Sequence, residues 1–492
     1  MSATVVSAPG KALLAGGYLI LDSKYSGIVV STSSRFYSVV FPASTPGIIT
    51  VNSPQFVDAV WKYSVGPNGS VDADPLTINA NKFVHLALKN TLTLAAELKG
   101  SGVTDALLEA GLQIYILGGN DFYSQRTTLD NSGLSPSFES LNKIPPFAPL
   151  NVQISQVNKT GLGSSAALIT SLTAALLVHF GVITRESITG DGQEDSRRLA
   201  HNLAQFVHCL AQGKVGSGFD VSAAVFGSQV YTRFDPGVIQ PLLDGQVERL
   251  SQTLAAANSA WTQKVLPFRL PPHTRLLLAD VAVGSDTPSL AGNVLRWRQR
   301  NSKDANDLWS SIDEENKEFG RTLASLTVKW ERNPGVYEEV ANYLSSMQQI
   351  QWEANPELPS DQQSLIDCFV KLRTACENIR AKMREMGEAS GAAIEPLPQT
   401  ELLDDCLAVP GVIAGGVPGA GGYDAIWLLV FDPPKKHGHI LTPVACVEIL
   451  WGRREKKDVT PLSAEESTTK GIQAEQLDEV PGLREAISTA RN

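Results

Sequence analysis

The chain has 492 residues, too many for one compact core, so two or three domains are expected. Hydrophobic residues make up 43% and charged residues 19%, which excludes a disordered chain. Lys and Arg number 41 against 51 Asp and Glu, a formal charge of −10 that argues against nucleic acid or an anionic membrane as partner. It leaves room for a local basic pocket and an anionic small molecule. The five cysteines include no Cys-x-x-Cys pair, so a reducing compartment is expected, without a disulfide framework or zinc site. The first residues lack a basic stretch followed by a long apolar one, which makes the cytoplasm the default location. Monomer or homodimer is left open.

In chain order, Ala12–Ala15 and Ile28–Val30 read as strands around Gly16-Gly17. Apolar spacing predicts a helix over Asn81–Lys99 and a strand over Gly111–Leu117. Gly118–Pro149 is rich in Ser, Asn, Pro and Gly and reads as a long loop. Asn151–Val157 reads as a further strand. Ala166–Ile183 carries no charged residue, but Thr170, Ser171, Thr173 and His179 make it a buried helix rather than a membrane span. Leu199, Leu203, Phe206 and Leu210 share one face of a helix over Ser196–Gln212, closed by Gly213. Residues 236–272 show little period and read as a linker between a first domain, 1–235, and a second, 273–492. In the second, Arg275–Val283 reads as a buried strand. Leu290–Arg300, Asn306–Thr327, Pro334–Trp352 and Ser360–Met386 read as helices. Val412–Gly415 and Ile426–Phe431 read as strands, and the tail beyond Arg453 as a solvated segment.

The strongest local signal is Lys159-Thr160-Gly161-Leu162-Gly163-Ser164-Ser165-Ala166-Ala167, running on through Leu168 and Ile169 into the apolar helix. Two glycines allow a tight turn and close approach of a ligand. The free amides and positive dipole end of the helix make an anion site. The Ser164 and Ser165 hydroxyls suit a phosphate or Mg²⁺. No Lys follows the second glycine, so this is not a Walker-type loop. Taken alone, the segment is equally a serine-capped structural turn.

Three other segments accompany it. Ala8–Tyr18 presents Lys11 beside a strand, or is a strand bracketed by two turns. Gln212–Ala224 carries Lys214 and places Asp220 after Gly-Ser-Gly, either as a helix cap or as a group aimed at a nucleophile. Gly415–Gly422 holds more glycine than a turn needs, as a backbone pressed against a neighbour or a bound triphosphate would require.

In this order the four segments resemble the motifs of the GHMP kinase superfamily, with the closest likeness in its fungal phosphomevalonate kinase branch. Most other members have Gly-Glu-His where this chain has Gly16-Gly17-Tyr18. His201–Asp220, Gly391–Thr400 and Leu402–Cys406 look specific to that branch. The resemblance implies an N-terminal α/β domain, a C-terminal ferredoxin-like α+β domain, and an active site between them. It implies transfer of the ATP γ-phosphoryl group to (R)-5-phosphomevalonate, in the mevalonate route to isoprenoids and sterols. It also implies Lys11 and Asp220 as catalytic groups and Lys159–Ile169 as the ATP loop, with Mg²⁺ at Ser164 and Ser165. The acceptor is then expected against Lys11, Tyr18, Lys214, Ser217, Gly218, Asp220, Ser285 and the turn Gly419-Ala420-Gly421. Ser285 and its neighbours are equally a plain helix cap. One departure stands out: where mevalonate kinases hold Mg²⁺ with an acid, this chain has His208-Cys209-Leu210. An alcohol kinase of the same superfamily and a non-catalytic nucleotide sensor are the competing readings. Missing acid and Gly16-Gly17-Tyr18 count against the first, and retention of Lys11, Ser164 and Asp220 against the second.

Overall fold

The computed structural model describes residues 3–66, 69–75, 80–190, 192–281, 287–354, 358–434, 441–454 and 458–489. Among them, nine strands make one sheet. Its path runs Gln473–Glu475, Thr4–Ala15, Ser26–Pro42, Leu112–Gly118, Ile48–Asn52, Val60–Val65, Val71–Ala73. Off this path, Ser26–Pro42 also pairs with Gln229–Thr232, which in turn carries Lys264–Pro267. All pairs are antiparallel except Ile48–Asn52 with Leu112–Gly118. Ser26–Pro42, 17 residues long, holds three neighbours, and its pairing with Thr4–Ala15 shifts register between Pro9 and Lys11 and between Leu13 and Ala15. The first of these shifts sits at Lys11.

Lys82–Lys99, Ser164–His179 and Phe219–Phe226 lie on this sheet, and Glu194–Gln212 packs across these three helices. Ser164–His179 is apolar nearly all round because the sheet lies on one side and neighbouring helices lie on the others. Lys82–Lys99 starts where the Asn81 carboxamide oxygen accepts from the Phe83 and Val84 amides, at 3.0 and 3.4 Å.

The second sheet has the order Val412–Gly416, Ala425–Phe431, Thr274–Val281, Val459–Leu462, antiparallel throughout. In chain order it reads strand, helices, strand, strand, helix, strand, which is the ferredoxin-like arrangement. The long helices Ser302–Arg332 and Ser360–Ser390 pack against each other, and the second also lies on Val412–Gly416. A continuous core runs from Val6 and Leu172 in the first layer to Leu276, Phe369 and Phe431 in the second.

Several expectations need correction. Asn151–Val157 is not a strand: Asn151 has φ +55°, Ile154–Gln156 is a 3₁₀ turn, and Ile154 and Val157 line a cavity instead of joining the sheet. Residues 236–272 are structured, and Lys264–Pro267 extends the first sheet. Pro334–Trp352 is a helix, Pro334–Ser345, followed by a separate 3₁₀ turn at Gln349–Gln351. Short helices at Arg126–Asn131 and Phe138–Leu141 interrupt Gly118–Pro149, with Leu129, Leu141, Ile144 and Ala148 in a small core. The tail is not a solvated segment. Val459–Leu462 joins the second sheet, and Gln473–Glu475 returns to pair with Val5–Ser7 of the first. Its apolar residues are sparse among charges, yet Ile472 and Leu483 are fully buried. Arg35 and Arg197 hold this returning strand by its backbone: Arg35 Nη2 donates to the Gly471 carbonyl at 2.6 Å, and Arg197 Nη1 to that of Ile472 at 3.3 Å.

Candidate active site

The loop and the first strand meet at Lys11. The Lys11 amide donates to the Leu162 carbonyl at 3.0 Å, and its Nζ donates to the Gly161 carbonyl at 2.6 Å. Gly161 and Gly163 both have φ +79°, which L residues with side chains adopt only at a cost. Gly163 caps the helix Ser164–His179 without any side-chain cap, and the first amide paired into the helix is that of Ala167. The Ser164, Ser165 and Ala166 amides therefore have no partner within the helix and point out of its start. A Cβ on Gly163 would stand 3.2 Å from Lys11 Cε and 3.8 Å from Asp220 Cβ. This glycine is where the three predicted segments touch.

Asp220 lies in the first turn of Phe219–Phe226, whose cap, Gly218, has φ +82°. One carboxylate oxygen accepts from the Val221 amide at 3.0 Å. The side chain thus acts partly as a local cap, while still lining the cavity beside Lys11. Burial pushes the Lys11 ammonium below the usual lysine range, and the Asp220 charge works the other way. Lys11 Nζ also lies 5.4 Å from the centre of the Phe219 ring.

A cavity of about 300 Å³ collects most of the predicted acceptor residues. Lys11, Tyr18, Lys214, Ser217, Gly218, Asp220, Gly419, Ala420 and Gly421 all line it. Ser285 lies outside the described residues. The Tyr18 hydroxyl donates to the Ala420 carbonyl at 2.5 Å, tying the first motif to the C-terminal glycine turn, and burial raises its pKa.

A second cavity, about 390 Å³, lies on the other side of the loop. Phe56, Trp61, Phe83, Tyr123 and Leu168 give it apolar walls; Asn81, Lys159, Ser164 and Ser165 supply polar groups. Gly161 and Gly163 face the first cavity while Ser164 and Ser165 face the second, so the loop forms a shared wall. Of the remaining loop residues, Thr160 and Leu162 are buried beneath it. Ala166, Ala167 and Ile169 are buried in the helix.

Sequence reading missed this aromatic cavity. The five apolar walls named come from a strand, two helices and two loops that only the fold brings together. It also missed Arg233, which donates to the Leu21, Val215 and Gly216 carbonyls at 2.5, 3.0 and 2.7 Å and so holds the loop carrying Lys214 and Ser217. His208 is buried at the join. Its Nε2 is 3.1 Å from Ser165 Oγ, 3.1 Å from Gln212 Nε2 and 3.8 Å from Asp220 Oδ2. Among the described residues no group of three His, Cys, Asp or Glu gathers to hold a metal, and no helix is long and apolar enough to cross a membrane.

Comparison with known proteins identifies the family. Residues 137–228 match the family model of the GHMP kinases N terminal domain. A peroxisomal phosphomevalonate kinase from Arabidopsis thaliana is 36% identical, over 87% of this chain and 90% of its own. A phosphomevalonate kinase from Aspergillus fumigatus is 34% identical over 97% and 98%. Among solved structures, Streptococcus pneumoniae phosphomevalonate kinase in complex with phosphomevalonate and AMPPNP superposes with a TM-score of 0.57 at 14% identity, covering 94% and 99%; at that identity the likeness is one of fold. The chain belongs to the GHMP kinases, and within them to the phosphomevalonate kinases, ATP-dependent enzymes of the mevalonate pathway.

Proposed function

We propose that the two cavities hold donor and acceptor for one reaction: ATP and (R)-5-phosphomevalonate give ADP and 5-diphosphomevalonate. The observation that carries this reading is the shared wall. A nucleotide base suits the aromatic cavity. Its phosphates then pass over the free amides at the start of Ser164–His179 and reach the side where Lys11 and Asp220 stand.

The acceptor is a phosphate monoester whose second ionisation lies near about pH 6, so near neutrality it is mostly a dianion. One of its oxygens attacks the γ-phosphorus, the bond to the β–γ bridging oxygen breaks, and ADP leaves with that electron pair. No proton needs removing from a dianion, so Asp220 serves to orient Lys11 and the acceptor. The harder problem is repulsion between two polyanions. Lys11, released from the Gly161 carbonyl, would bridge donor and acceptor and neutralise the moving group. Lys214, on an exposed part of the same cavity wall, would meet the acceptor phosphate.

Ser164 and Ser165 fit Mg²⁺ in the chemistry of their donors, hard hydroxyl oxygens beside a phosphate path, with the nucleotide and water completing the shell. Bound there, Mg²⁺ supplies charge neutralisation at the β- and γ-phosphates. His208 Nε2, 3.1 Å from Ser165 Oγ, can order that hydroxyl without adding negative charge beside two phosphorylated substrates.

The substrates are small molecules; nucleic acid and membrane are not proposed as partners. The cytoplasm is the proposed location, although one relative is named peroxisomal. The test is ADP release by purified protein with ATP, Mg²⁺ and 5-phosphomevalonate. Release matched by diphosphate product and abolished by a chelator supports the reading. Absence of turnover at any Mg²⁺ concentration sinks it.

A further inference from the structure

The segment Gly391–Thr400 has no part in the phosphate chemistry described above, yet it is built around a buried carboxylate. Glu395 is 6% exposed. Arg380 donates to it from Nε at 3.2 Å to both oxygens and from Nη2 at 2.7 Å. Arg384, one turn further along the same helix, donates from Nη1 at 2.7 Å, and Thr400 Oγ1 donates at 3.2 Å. Arg380 Nη2 also reaches Asp404 at 2.9 Å. Desolvating such a pair costs about as much as its attraction returns, and apolar side chains often serve a core as well. What the ionic arrangement adds is fixed geometry.

That geometry bears on the active site through the next residue. The Ile394 carbonyl accepts from the Gly422 amide at 2.8 Å. A Cβ on Gly421, where φ is +78°, would stand 2.1 Å from the same oxygen. No side chain fits between, so the turn rests directly on Ile394. Gln399 Nε2 adds a second tie, to the Tyr423 carbonyl at 2.7 Å. From the other side the Tyr18 hydroxyl holds Ala420. Gly419, Ala420 and Gly421 line the acceptor cavity and are absent from the aromatic one.

We propose that Glu395, gripped by Arg380 and Arg384, is a positioning residue that sets the acceptor wall: it fixes the Ile394 carbonyl on which the Pro418–Gly422 turn rests. It acts through the backbone and touches neither substrate. The inference rests on the acceptor assignment made above, and predicts an effect confined to one substrate.

The experiment is steady-state kinetics of Glu395→Gln and Arg384→Gln beside wild type, varying each substrate in turn. Arg384 is partly exposed and its replacement leaves the Arg380 pair intact, so that variant stays folded if Glu395→Gln does not. Glu395→Gln is expected to raise KM for 5-phosphomevalonate by about tenfold or more, and Arg384→Gln by about threefold, with KM for ATP within about twofold of wild type. In Tyr18→Phe/Arg384→Gln, the loss should be less than the product of the two single losses, because both grip one turn. Unchanged acceptor KM in a folded variant, equal rises for both substrates, or strictly multiplicative losses would overturn the positioning role. Wild type lacking turnover on 5-phosphomevalonate would instead overturn the acceptor assignment.

Discussion

The two glycine-rich turns, Lys159–Ala167 and Gly415–Gly422, look alike in composition and do different physical work. A Cβ on Gly161 would meet nothing within 4 Å; on Gly421 it would collide with the chain's own Ile394 carbonyl at 2.1 Å. The first turn opens a helix and leaves amides and space for a ligand. The second opens no helix and is clamped from both sides by the protein itself. A glycine run therefore marks close approach, and only the fold says whether a ligand or a neighbouring segment of the chain approaches.

The largest test of that contrast is the lysine seated on the first turn. Lys11→Met is expected to lower kcat by on the order of a thousandfold while nucleotide binding, read by fluorescence titration, stays within a few-fold. Retained turnover would remove Lys11 from the chemistry and leave its bond to Gly161 as a structural tie. Gly421→Ala should then act on stability. Displacing Ile394 on top of straining a positive φ costs about 2–3 kcal/mol, seen as a lower unfolding midpoint in urea, with weakened acceptor binding. Gly161→Ala should do the reverse. Its φ strain alone costs about 1 kcal/mol, while affinity for 5-phosphomevalonate falls about tenfold because the new methyl enters the cavity that Gly161 lines. Equal stability losses at both positions would erase the distinction.

The smallest effect compares two histidines on the helix Glu194–Gln212. His208 faces the loop, whereas His201 is fully buried between Phe226 and Trp261, and burial lowers its pKa to about 4. The folded state resists protonating His201 while the unfolded chain accepts a proton near the ordinary value of about 6.5. His201 therefore contributes stability that is present above pH 6.5 and lost as pH falls towards 4. Between pH 6.5 and 5.5 wild type should lose about 1 kcal/mol relative to His201→Gln, measured by urea unfolding at each pH. The difference between the two proteins cancels other groups, such as Asp121, which burial raises to about 6. A flat difference would contradict the buried, neutral assignment.

Much of the site was legible in the sequence because its parts are local. A glycine turn followed by an apolar helix implies free amides at one place, and Lys11, Asp220 and the loop each carry a local signature. The helices Lys82–Lys99 and Glu194–Gln212 were legible for the same reason, as their apolar faces repeat at helical spacing. The aromatic cavity was not legible, since Phe56, Trp61, Phe83 and Tyr123 look like ordinary core residues until long-range pairing assembles them. The tail was misread because its strands are three or four residues long and lie among charges. Its burial depends on Arg35 and Arg197, more than 270 residues away in sequence, binding its backbone carbonyls.

The central claim is that the loop separates a nucleotide from an acceptor that already carries a phosphate. The most direct test is an ADP-release assay on wild-type protein with 5-phosphomevalonate, mevalonate, homoserine and galactose at equal concentrations. The account predicts turnover with 5-phosphomevalonate and little with the three alcohols. Preferential turnover of mevalonate or galactose would contradict it, and would make Asp220 a base for a hydroxyl rather than a guide for a phosphate.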